Sequence, residues 1–224
     1  MKCFMSNYKV NWTWTCSDSK FDEFRNDPSF VALVRLARIT NGLRFCQGAV
    51  YASRKDFNPE GRRQRSNGFL MTCGLLFEGF KILDDAESHL KQYTTFNNFF
   101  VPLISHKRVK ELLGSDLRKT RNKIVFHYDR SVVTASLSSI KRPEYRFVAG
   151  LDDTAGSTFY ELADEIVVNY LIDGGDTSLN YSARLQRFVS DVTYVSTEFL
   201  SAADKLIVEA LEKMGWTEVE RPNS

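Results

Sequence analysis

No cysteine pattern here describes a scaffold. The four cysteines, Cys3, Cys16, Cys46 and Cys73, form no CxxC pair and no Cys/His cluster with zinc-finger spacing. Neither a disulfide framework nor a bound metal is expected. So sparse a set fits a reducing compartment, with Cys46 and Cys73 as small core residues on helices. Long apolar runs are also missing. The richest, from Phe30 to Ile39, is broken by Arg35 and Arg38. It falls short of the ~20 residues a membrane helix needs. The first residues, Met1 to Tyr8, hold no sustained apolar stretch of the kind a secretory signal requires. A cytoplasmic protein with no membrane association is the expectation. Neither sign of charge dominates: 30 Lys and Arg face 28 Asp and Glu. Any anion site must therefore come from local clustering. No Walker loop, GxGxxG, HExxH or GxSxG occurs, and no cofactor is implied.

What the chain does have is apolar and aromatic side chains, 43% and 13% of its 224 residues. That is enough to fill a core. Their spacing predicts an all-α fold, a helical bundle of five or six helices with a small irregular or hairpin insertion. Residues 1–29 read as an N-terminal arm with a short strand around Lys9 to Thr15, residues 30–214 as the bundle, and residues 215–224 as a tail. Asp27-Pro28-Ser29 signals a helix start, and that helix reaches about Ser53. Residues 54–65, with Pro59 and Gly61 among Arg54, Lys55, Arg62, Arg63 and Arg65, read as a basic loop. A helix from about Ser66 to Tyr93 buries Phe69, Leu70, Cys73, Leu76, Phe77, Phe80 and Leu83, with Glu78 on another face.

Residues 94–104 read as an aromatic loop ended by Pro102. Ser105 can cap a short helix to Leu113, Gly114 interrupts it, and Ser115 or Asp116 can cap the next, through Arg130. The insertion falls in 138–157, and a further helix covers Ser157 to Ile172. The last helix spans Ser178 to Met214, with Gly215 and Pro222 marking its end. Its apolar positions, from Tyr181 and Leu185 to Ala202 and Leu206, step by four and three. Such a seam packs within a bundle or pairs with a second copy, and the intrachain use is favoured.

Reactive side chains are densest between Asp116 and Arg130. Arg121 and His127 lie about 120° apart around a helix axis. Both could border one groove at a helix junction, or meet in a shared cleft of a two-fold dimer. Histidine exchanges protons near neutral pH. Arginine forks two hydrogen bonds onto a phosphate. Asn122 can donate to a phosphoryl oxygen or orient the imidazole. RNA brings its own nucleophile, the 2′-hydroxyl. A metal-free cleavage could use His127 for proton transfer and Arg121 against the phosphorane charge, leaving a 2′,3′-cyclic phosphate and a 5′-hydroxyl. On spacing alone, an Arg and a His six apart more often serve structure than catalysis.

The string from Leu117 to Asp129 resembles the signature of the HEPN family: an Arg, usually followed by a polar residue, then a His after four to six more. The resemblance implies an up-and-down helical bundle, and the helix count agrees. It also implies a metal-independent endoribonuclease acting as a homodimer in toxin–antitoxin, abortive-infection or antiviral systems, with RNA as substrate and an antitoxin or other protein as partner. It puts Arg121 and His127 in the catalytic positions and Asn122 in the supporting polar one. Tyr128 and Asp129 follow as supporting residues; Asp129 can orient His127 or, equally, pair with Arg118 or Arg130 in a helix-end salt bridge. Toxins paired with a nucleotidyltransferase antitoxin often carry Tyr two positions after the His; Asp129 stands there, which argues against tyrosine AMPylation. The family also holds inactive members, so a non-catalytic dimerising interaction or nucleotide-binding module is the alternative. By proximity Arg118 and Lys123 are the first candidates for RNA phosphates. The basic stretch Arg62, Arg63 and Arg65 is next.

Overall fold

A computed structural model gives the architecture; it describes residues 12–122, 130, 134 and 181–220. Helices carry it: apart from a two-stranded sheet, the regular structure among these residues is helical. Strand β1 (Trp12–Thr15) falls inside the range expected for a strand. Helix α1 (Asp18–Phe24) follows, capped by Ser17. The start of α2 (Pro28–Ala52) is where the sequence signals it: Asp27 accepts from the backbone N–H groups of Ser29 (2.8 Å) and Phe30 (3.0 Å), and Pro28 opens the first turn.

The next helix, α3 (Pro59–Asp85), corrects the basic-loop expectation. Asn58 accepts from Gly61 N–H at 2.7 Å, and Pro59 lies in the first turn. The residues that look like helix breakers are a helix start, so Arg62, Arg63 and Arg65 stand on α3. The far end is also corrected. Ala86 leaves helical geometry, and a short α4 (Glu87–Leu90) takes over before Tyr93.

The aromatic stretch after Thr94 is helical too, not a loop. A π-turn (Phe96–Phe100) leads into α5 (Val101–Ser105), and Pro102 occupies its first turn, where a missing N–H costs least. Helix α6 (Lys107–Glu111) starts at His106, without a side-chain cap from Ser105. Gly114 does not break the chain's helical course: a second π-turn (Leu112–Leu117) carries through it into α7 (Arg118–Thr120). Ser115 and Asp116 therefore lie within a continuing helical stretch, not at the start of a new helix. The insertion expected at 138–157 and the helix expected at 157–172 lie outside the described residues.

The last helix, α8, covers Tyr181–Lys213. Its seam is spent inside the bundle: Val192, Val195, Phe199, Ala202 and Leu206 are buried. Phe199 is the hub. Its ring meets Phe80 at 5.2 Å and Phe100 at 5.5 Å between centroids, edge to face as aromatic quadrupoles prefer. Close approaches show α2 antiparallel to α3. A Cβ on Gly68 would lie 2.8 Å from Val50 Cγ2, and one on Gly79 would lie 3.2 Å from Ile39 Cγ2. Phe69 against Phe188 and Phe80 against Phe199 make α3 and α8 run the same way.

Beyond Lys213, Gly215 adopts φ +68°, which only glycine holds without strain. It turns the chain into β2 (Thr217–Glu220), antiparallel to β1 with Trp14 opposite Glu218. Arm and tail of the sequence thus share one sheet. No helix among the described residues is long and apolar enough to cross a membrane.

Candidate functional site

Arg121 stands just after α7, and its backbone is fixed by what precedes it. Leu117 and Thr120 are fully buried, and the Thr120 hydroxyl donates to the Asp116 carbonyl at 2.6 Å. Thr120 faces the core, so the next residue turns toward the surface. Arg121 and its partner Glu78 are each about one-third exposed. Arg121 Nε donates to Glu78 Oε1 at 2.7 Å, and a terminal guanidinium nitrogen donates to Asn122 Oδ1 at 2.9 Å. Glu78 on α3 and the neighbouring Asn122 both accept from one guanidinium plane. Its geometry is set by the bundle rather than by solvent.

Glu78 is the residue that sequence reasoning missed. It is 43 positions from Arg121. The only local hint is a carboxylate lodged between Phe77 and Gly79 on a core helix. Gly79 lets α3 approach α8: a Cβ there would sit 2.5 Å from the Phe199 ring tip.

Of the other candidates, Arg118 is exposed one turn before Arg121. Lys123, His127, Tyr128 and Asp129 lie outside the described residues. Arg62, Arg63 and Arg65 stand on α3 between 13 and 16 positions before Glu78. At 1.5 Å per residue that is roughly 20–24 Å along the axis. They do not share a patch with Arg121. Arg65 also has a local task, donating to the Asp56 carbonyl at 2.6 Å and to that of Ser53 where α2 ends. Arg54 stacks on Tyr51, 3.5 Å from the ring centroid, and Phe57 next to this turn is 82% exposed.

The Cys46 and Cys73 thiols behave as core groups. Cys73 is fully buried, and burial pushes its pKa far up, with Asp116 adding to the rise. Burial raises Cys46 as well. Among the described residues no disulfide forms, and no three His, Cys, Asp or Glu side chains are placed to hold a metal ion. Compared with known proteins, the chain matches no family model, no curated protein and no solved structure.

Proposed function

We propose that this protein is a metal-independent endoribonuclease of the HEPN type, working as a homodimer in a defence or toxin–antitoxin setting. One observation carries the reading: Arg121 and Asn122, the first two residues of the motif, form a hydrogen-bonded unit clamped by Glu78 at a part-exposed position on a helical bundle. A guanidinium so held meets a phosphodiester without first losing side-chain freedom. In the proposed step, the RNA 2′-oxygen attacks phosphorus as its proton passes to His127, and the bond to the 5′-oxygen breaks as that oxygen takes up a proton. Arg121 stabilises the phosphorane charge. Arg118 and Lys123 hold flanking phosphates, and Tyr128 and Asp129 support the imidazole.

The test is incubation of the purified chain with RNA in EDTA, followed by end-group analysis. Products ending in a 2′,3′-cyclic phosphate are expected. Arg121→Ala and His127→Ala should each slow cleavage by about 10²-fold or more. If His127→Ala cleaves as fast as the parent, the active-site assignment is wrong.

A second reading is a non-catalytic dimerising module, favoured by Val31, Val34 and Phe45, which α2 leaves 43%, 53% and 78% exposed. It requires tight self-association without cleavage. A strict monomer at micromolar concentration would remove it and would also count against a dimeric nuclease cleft.

A further inference from the structure

A cleft of about 370 Å³ opens between the last turns of α3, α4, the π-turn Phe96–Phe100 and α5. Its volume lies in the range of small-molecule sites. Phe77, Phe96 and Ile104 supply apolar wall; Lys81, Asp84 and Glu87 stand at the rim. These groups are not equally engaged. The Phe80 ring is spent on Phe199 and the Phe96 ring on Phe100. Phe77 is half-buried and has no ring partner among the described residues. Glu87 pairs with Lys91 at 2.9 Å. The side chains of Lys81 and Asp84 are exposed, one helical turn apart, and neither has a bonding partner among the described residues.

Neither Glu78 nor Arg121 lines the cleft, but α3 carries both the clamp and the cleft wall. Phe77 is the neighbour of Glu78 in sequence, and Lys81 stands about 4.5 Å further along the axis of α3.

We propose that this cleft is a subsite for a guanine base of single-stranded RNA, next to the phosphodiester that Arg121 engages. The inference rests on the ribonuclease reading for its place along the strand, and on the cleft's own groups for base choice. An unstacked base lays its face on Phe77. Guanine's pairing edge carries two adjacent donors, N1–H and the 2-amino group, and one acceptor, O6. The Asp84 carboxylate only accepts and takes both donors; the Lys81 ammonium only donates and meets O6. Adenine and cytosine offer the carboxylate a single amino group, and uracil a single N3–H. Bidentate pairing therefore selects guanine.

The experiment has two arms. Nucleosides are titrated into the full chain and followed by NMR, so that binding is read without chemistry. Guanosine should bind about tenfold tighter than adenosine, cytidine or uridine, and Asp84→Asn should erase that margin. Phe77→Ala should weaken all four; because Phe77 also packs against the core, the rim variant Asp84→Asn is the deciding one. Equal affinity for the four nucleosides, no guanosine binding, or an unchanged preference in Asp84→Asn overturns the proposal. The second arm maps cleavage ends on mixed-sequence RNA, where guanine should recur at one fixed position. Cleavage without base preference sinks the subsite and leaves the nuclease. Guanosine-selective binding with no cleavage sustains the base site and sinks the nuclease.

Discussion

Glu209→Gln should destabilise the protein in a way that fades at low pH. The carboxylate reaches from α8 to the start of the helical stretch that leads toward Arg121. Its two oxygens accept from the backbone N–H groups of Thr94 (2.9 Å) and Thr95 (2.7 Å), and Oε1 also meets Lys213 Nζ at 2.8 Å. It is the cap of a helix end supplied from 115 positions away. Burial by itself would raise its pKa; the Lys213 ammonium and the two N–H donors prevail and hold it at about 2, against an ordinary 4.5.

At ~1.36 kcal/mol per pKa unit that difference is about 3 kcal/mol, and partial exposure of the pair trims it to about 2. Glutamine keeps one oxygen but turns an amino group toward the remaining donors. A loss of ~2 kcal/mol lowers Tm by about 4–8 °C in a chain of this size. Since the folded pKa is depressed, the stabilisation is whole above pH 4.5 and drains away as pH falls through about 2. The assay is thermal unfolding by circular dichroism from neutral pH downward. The gap between parent and variant should be level to about pH 5 and narrow below it. A variant within about 1 °C of the parent at neutral pH would refute the reasoning, as would a gap that stays constant into the acid range.

Gly79→Ala puts a Cβ 2.5 Å from the Phe199 ring and should cost about 1–3 kcal/mol, read as a fall in denaturation midpoint. Gly42→Ala meets only the end of the Leu75 side chain, at 2.9 Å, and should cost less than half as much. Cys73 should resist thiol reagents in the native state while half-buried Cys16 reacts; fast labelling of Cys73 would contradict its burial and raised pKa. Glu78→Gln should change stability by less than about 1 kcal/mol. On the ribonuclease reading it should lower kcat by roughly tenfold or more with KM nearly constant, because it loosens a positioned guanidinium. An unchanged kcat would remove Glu78 from the site.

Features legible in the sequence are those whose cause is local. Asp27-Pro28 starts α2 because cap and first turn are neighbours, and Gly215 ends α8 because one positive φ suffices. The four-and-three spacing around Phe199 locates a core because the helix period alone puts those side chains on one stripe. Asn58-Pro59 misleads for an instructive reason. Proline ends a helix that precedes it and starts one that follows, so the same pair reads as breaker or as cap. The π-turn at Phe96 is harder still. Phe96 and Phe100 are both buried, and the wider turn sets both rings inward only once α8 offers Phe199 and Glu209 to receive that segment.

The candidate site divides along the same line. A motif such as Arg121-Asn122 is a string, so sequence exposes it. The carboxylate that orients it is 43 residues away. The distance is closed by packing: Gly79 admits the Phe199 ring against α3, while buried Leu117 and Thr120 seat the segment that carries Arg121 on the same core. Glu78 precedes Gly79 on α3, so a methyl group added there presses on the turn that carries the clamp. Gly79→Ala should therefore shift the Glu78–Arg121 geometry as well as stability. On the ribonuclease reading, cleavage should fall in the variant even at temperatures where it is fully folded. Full activity in a folded Gly79→Ala would mean that the clamp's position does not depend on this contact.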